Sequence, residues 1–96
     1  MSFNIIGTGS AWPRCSKSNE ELSQIIDTSD EWISTRTGIK SRHVSTGETI
    51  TDFATEAARR ALEDAGIEPG ELDLIICATA RGEYITPSLA CLVQKR

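Results

Sequence analysis

Trp32 and Arg36 are the two side chains in this sequence best spaced to act together. Four residues make about one helical turn, so on a helix both project from one face. An indole and a guanidinium plane with a gap between them form a clamp for a flat, electron-rich ring such as adenine. Taken alone, the pair reads first as a half-buried tryptophan covered by an arginine, and the clamp needs support from its surroundings. The other reactive groups are Cys15, Cys77, Cys91 and His43. Three widely spaced cysteines without a Cys-x-x-Cys pair, beside one histidine, suggest neither a disulfide framework nor a closed zinc site. A reactive thiol wants a helix N-terminus or a neighbouring His or Lys. Cys91 stands between Ala90 and Leu92 with no adjacent base, so a structural role is expected. Cys77 lies in an apolar run and reads as core, and Cys15, in a polar stretch, receives no role. His43 has no paired nucleophile. Gly7-Thr8-Gly9 lacks the third glycine of a dinucleotide fingerprint and the Gly-Lys of a phosphate loop; a strand-ending turn is expected.

The elements that must position these residues follow from patterning. Phe3 to Gly7 is a short apolar run that predicts a buried strand. Pro13 keeps the next stretch irregular. Ser18-x-x-Glu21 is a capping box opening a short helix with Leu22, Ile25 and Ile26 at helical spacing. Thr28-x-x-Glu31 has the same pattern and opens the helix carrying Trp32 and Arg36, which Gly38 ends. Ile39 to Ser45 is weakly strand-like. Ile50 to Ala65 predicts a long helix with a stripe of Phe53, Ala54, Ala57, Ala58, Ala61, Leu62 and Ala65, capped by Thr49 or Thr51 and stopped by Gly66. A stripe built largely of alanine requires its packing partner to come close to the helix axis. Leu72 to Ala78 predicts a strand buried on both faces. Pro87 sits in the first turn of a last helix with Leu89, Ala90, Leu92 and Val93 as its apolar side.

Composition narrows the function classes. Of 96 residues, 39% are hydrophobic and 25% charged, and 10 Lys and Arg against 14 Asp and Glu give a net charge of −4. An acidic chain without a basic run is a poor phosphate binder, so no nucleic-acid partner is expected. No apolar stretch approaches the roughly 20 residues that span a bilayer, and no secretory signal is visible. The expectation is a cytoplasmic protein with no membrane partner.

Four segments together carry a family resemblance: Ile6-Gly7-Thr8-Gly9-Ser10, Asp27-Thr28-Ser29-Asp30-Glu31-Trp32-Ile33, Thr35-Arg36-Thr37-Gly38-Ile39, and Thr79 with Thr86-Pro87-Ser88 through Ala90-Cys91-Leu92-Val93-Gln94. The chain resembles the N-terminal part of β-ketoacyl-acyl carrier protein synthase III over essentially all its residues, most specifically from Asp27 to Ile39. The resemblance implies an α/β fold, the N-terminal part of a thiolase-like α-β-α-β-α arrangement, truncated to an incomplete mixed sheet with helices. Residues 1–96 would be one partial thiolase-like domain.

In that family the complete enzyme is a dimer. A cysteine takes an acyl group from acyl-CoA, and a histidine and an asparagine assist decarboxylative condensation with malonyl-acyl carrier protein. The nucleophile follows the proline-serine helix start, in an alanine-rich segment that this chain stops short of at Arg96. No catalytic residue is therefore expected here, and the Lys95-Arg96 ending departs from the family's usual continuation. The resemblance further implies that Trp32 and Arg36 sandwich the CoA adenine while Thr28 hydrogen-bonds its edge. It implies that Thr86 reaches across the dimer to the partner's acyl chain, where a small residue leaves room for a longer or branched primer. Cys91 matches a non-catalytic cysteine of the family. Acyl-CoA is a substrate; no cofactor and no metal are expected.

Three functional expectations result. The chain is a fragment of an acyltransferase initiating fatty acid synthesis, inactive alone, with acyl-CoA and acyl carrier protein as partners of the complete enzyme. Alternatively it is a non-catalytic accessory or oligomerisation module pairing with a separate chain. As a third possibility, it is a product with no function. A strand and an alanine stripe patterned for more burial than the chain supplies lead to the expectation of a homo-oligomer, most simply a homodimer.

Overall fold

The structure, a computed structural model, describes residues 2–96. Contacts gather the chain into two compact units: Trp12–Gly47, and the N-terminal residues through Ala11 together with Glu48–Arg96.

In the unit Trp12–Gly47, strand β1 (Cys15–Ser18) pairs antiparallel with β2 (Ser41–Val44), with Cys15 opposite Val44 and Ser18 opposite Ser41. The strand-like reading of residues 39–45 holds. Its partner falls where irregular chain was expected, because Cys-Ser-Lys-Ser has no apolar alternation and its strand state comes from pairing with β2. Ser18 ends β1 and caps helix α1 (Asn19–Ser23): the Glu21 N–H donates to Ser18 Oγ at 3.1 Å and the Ser18 N–H to Glu21 Oε2 at 2.8 Å. That hydrogen bond, chiefly, lowers the Glu21 pKa. The helix stops before Ile25 and Ile26, which lie exposed beyond it. Helix α2 (Asp30–Thr37) is capped by Ser29, whose Oγ accepts from the Trp32 N–H at 3.1 Å. The expected cap, Thr28, is thus off by one residue, because the serine hydroxyl already takes that first-turn donor. Gly38 closes α2 at φ 73°, the left-handed geometry its position requires. Trp12 and His43 bring their rings to 5.8 Å at 39°.

In the other unit, α3 (Ile50–Ala65) has the predicted bounds. Thr49 and Asp52 form its capping box and Gly66, at φ 70°, its stop. A 3-10 turn (Pro69–Glu71) follows, and α4 (Leu89–Lys95) begins after Ser88, whose Oγ accepts from the Cys91 N–H. Pro87 therefore precedes the cap instead of sitting in the first turn.

The alanine stripe finds its close neighbour in the N-terminal segment. A Cβ at Gly7 would lie 2.6 Å from the Ala61 carbonyl oxygen and 2.7 Å from the Ala65 Cβ. At Gly9 it would lie 2.3 Å from the Ala57 carbonyl oxygen and 2.5 Å from the Ala61 nitrogen. Neither glycine has a positive φ, so the expected turn role is replaced by close approach to α3. Two polar contacts flank the seam: the Thr8 N–H donates to Asp64 at 3.0 Å, and Arg60 donates to the Ser10 carbonyl at 2.8 Å.

Neither Phe3–Gly7 nor Leu72–Ala78 is a strand in this structure. A strand is defined by a ladder to a neighbour, and among the described residues neither run has one. From Leu74 to Cys77 the burial alternates: Leu74 and Ile76 are 74% and 81% exposed, whereas Ile75 and Cys77 are half-buried. The segment thus covers one face, not the two expected, and Cys77 is half core. Phe3, Ile5 and Ile6 are likewise exposed.

Candidate functional site

The geometry of α2 depends on a polar hub. The Asn19 side chain is 1% exposed. Its amide donates to Asp30 Oδ1 and to the Ile39 carbonyl, each at 2.7 Å, with Ser34 Oγ farther off at 3.4 Å. Its oxygen accepts from the Arg42 guanidinium, which also donates to the Lys17 carbonyl at 3.1 Å. Ser34 Oγ donates to Asp30 at 2.9 Å and accepts from Lys40 Nζ at 3.1 Å. The Asn19 amide, ahead of the Ser34 hydroxyl, lowers the Asp30 pKa by stabilising its carboxylate. Burying an amide without partners is costly, and here donors and acceptors are met. Nothing local in the sequence marks Asn19 for this role: it follows the cap residue Ser18 as one more polar side chain.

On α2, Trp32 and Arg36 do share one face. The Arg36 guanidinium carbon stands 4.4 Å from the Trp32 ring centre, and both residues are exposed. The expected gap is closed, since cation and indole attract each other directly. Ser29, Glu31, Trp32, Thr35 and Arg36 line an open recess of about 290 Å³. Thr28 is half-buried and not among the lining residues.

Thr86, the remaining candidate, belongs to the other unit and is exposed. Its loop and the end of the helix that follows are both tied to the start of α3. The buried Thr51 hydroxyl donates to the Glu83 carboxylate, and Arg96, after α4, donates to Asp52. Cys91 is exposed in the first turn of α4; the apolar helix side expected around it consists of its half-buried neighbours. Cys15 is half-buried in β1. Among the described residues no cluster of His, Cys, Asp and Glu could hold a metal ion. Among the described residues no helix is long and apolar enough to cross a membrane.

No family model matches the chain. Individual relatives do. The chain is 54% identical over 95 residues to the β-ketoacyl-[acyl-carrier-protein] synthase III of Clostridium acetobutylicum, covering 99% of this chain and 29% of that protein. With the same enzyme of Aquifex aeolicus it shares 54% over 94 residues, 98% of this chain and 30% of the relative. The crystal structure of the Aquifex aeolicus 3-oxoacyl-[acyl-carrier-protein] synthase III superposes on 95% of the chain with TM-score 0.91 at 55% identity, spanning 30% of that structure. The priming β-ketosynthase of the R1128 polyketide biosynthetic pathway matches with TM-score 0.90 at 42% identity, over 95% of this chain and 28% of its own. The chain thus spans less than a third of the relatives it matches, and within that span sequence and fold agree.

Proposed function

We propose that this chain, in sequence and fold the N-terminal region of a β-ketoacyl-[acyl-carrier-protein] synthase III, is the part of that enzyme that receives the adenine end of CoA. The reaction is an acyl transfer that starts fatty acid synthesis, condensing acyl-CoA with malonyl-acyl carrier protein in the cytoplasm. The observation that carries this reading is the stack of Arg36 on Trp32, exposed over an open recess. A cation over an indole marks a face suited to a second flat, electron-rich ring. Thr28 would bond the adenine edge, and Thr86 would shape the primer end of the substrate.

The 96 residues alone are expected to be inactive. Acyl transfer needs a nucleophile within hydrogen-bond reach of its base, and the residues flanking Cys91 in α4, Leu89 to Val93, include no base. Incubation with acyl-CoA and malonyl-acyl carrier protein should give no product. Product that disappears in Cys91→Ala would overturn this and make Cys91 the nucleophile. For binding, CoA should quench Trp32 emission and pantetheine, which lacks the adenine, should not. Equal quenching by both would remove the adenine from this site.

One observation favours a second reading. Phe3, Ile5, Leu74 and Ile76 stay exposed on segments patterned for burial, which suits pairing with a separate chain or a second copy.

A further inference from the structure

The side of α2 turned away from Trp32 and Arg36 is held by one buried amide. Asp30 and Ser34, the residues Asn19 reaches, are four apart and share a face. Trp32 and Arg36 are also four apart, offset from the first pair by two residues, or about 200° around the helix. The hub and the clamp therefore lie on opposite sides of the same two turns. This amide bonds both the first turn of α2 and the residue that follows its closing glycine. The helix has no apolar stripe, and Ile33 is its one buried residue. A single buried side chain permits rocking about the helix axis, whereas hydrogen bonds from one fixed amide to both ends of the helix do not. The caps at Ser29 and Gly38 satisfy backbone groups at the ends without choosing a direction for the face.

We propose that Asn19 is the positioning residue of this clamp: its amide, bonded to Asp30 in the first turn of α2 and to the Ile39 carbonyl just past its end, sets the rotation at which α2 presents Trp32 and Arg36. The proposal rests on the reading of those two residues as a base clamp. Lys40, bonded to Ser34, and Arg42, bonded to the Asn19 oxygen, brace the same hub from β2 and the residue before it. Asn19→Asp preserves shape but turns an oxygen toward the Asp30 carboxylate and the Ile39 carbonyl. Adding Asp30→Asn returns a donor to the first of those contacts.

The experiment reads the clamp directly and then by ligand. With 5-fluorotryptophan in the chain, and Trp12→Phe to assign the signals, the ¹⁹F shift of Trp32 is compared with and without Arg36→Ala. In the parent, removing Arg36 should move the Trp32 signal. In Asn19→Asp it should move it much less, and in Asn19→Asp/Asp30→Asn the effect should return. CoA affinity should fall by about tenfold in Asn19→Asp, as for loss of a hydrogen bond to a charged group, and recover in the double variant. No response to Arg36→Ala in the parent, or the same response in Asn19→Asp, would overturn the proposal. Should Asn19→Asp lose its helical circular dichroism, Asn19→Ser, which removes the amide without adding a charge, takes its place in the same comparison, with an unchanged response again overturning it. If CoA binds no variant, the clamp's ligand is wrong, while the fluorine shifts still decide whether Asn19 positions it.

Discussion

The Arg36 guanidinium carbon stands 4.4 Å from the centre of the Trp32 ring, so each group occupies the other's binding face. A base between them needs a separation of about 7 Å, two contacts of about 3.5 Å each. Opening the pair gives up about 0.5–1 kcal/mol for an exposed cation–π contact, while stacking a base returns about 1–3 kcal/mol. The exchange favours the base, modestly.

In a chain extended to the length of its relatives, Trp32→Ala should therefore raise the KM for acyl-CoA by about the 1–3 kcal/mol of a stacked base and lower kcat little. Arg36→Ala should cost less, because it removes a competitor along with one jaw. Steady-state kinetics against acyl-CoA measures both; an unchanged KM in Trp32→Ala would place the adenine elsewhere.

Gly9→Ala should destabilise the chain by about 1–3 kcal/mol, the usual cost of overpacking, or more. The new Cβ would meet backbone at 2.3 and 2.5 Å, which no rotamer relieves. Gly7→Ala should behave likewise, whereas Gly70→Ala, with nothing within 4 Å, should be tolerated. Thermal melts of the three variants make the comparison, and equal losses would contradict the seam.

Arg96 and then the Thr49 N–H hold the Asp52 carboxyl at about 2, against an ordinary 3.8. The ionised form is thus favoured in the folded chain. Its contribution is complete above the unfolded value of 3.8 and is lost as pH falls through about 2. Melting temperature should drop across that window, and Asp52→Asn should flatten the drop. The pair is half-exposed, so added salt should weaken the effect. Parallel parent and variant curves would show that Asp52 does not contribute.

Helix α3 was legible because every signal for it is local: the alanine stripe, Thr49 three residues before Asp52, and Gly66 at the end. Trp32 and Arg36 were legible for the same reason, through their one-turn spacing. The hub was not, since Asn19 draws its partners from 11 to 23 residues away, and a polar residue between two others gives no sign of burial. Nor was β1, whose state depends on β2. The apolar runs at Phe3 and Leu74 failed in the opposite way: their composition favours strands, but composition supplies no neighbour to pair with.

Those runs lead to a prediction about association. With Ile76 81% and Ile85 fully exposed, the chain at micromolar concentration should scatter light as a homodimer or larger species. Replacing Leu74 and Ile76 together by threonine should shift it toward monomer. A sharp monomer with cooperative unfolding in the parent would contradict this.

The seam between Gly7, Gly9 and α3 also limits what a genetic selection could repair. An oversized residue in an ordinary core can be accommodated by trimming its neighbour. Opposite Gly9 there is nothing to trim, because the obstructing atoms are a carbonyl oxygen at Ala57 and an amide nitrogen at Ala61, groups common to every amino acid. Only at Gly7 does a side chain, the methyl of Ala65, share the obstruction. Revertants of Gly9→Ala should accordingly be true reversions, or changes distant from the contact that let α3 move as a body. An allele-specific suppressor at position 57 or 61 has no physical route.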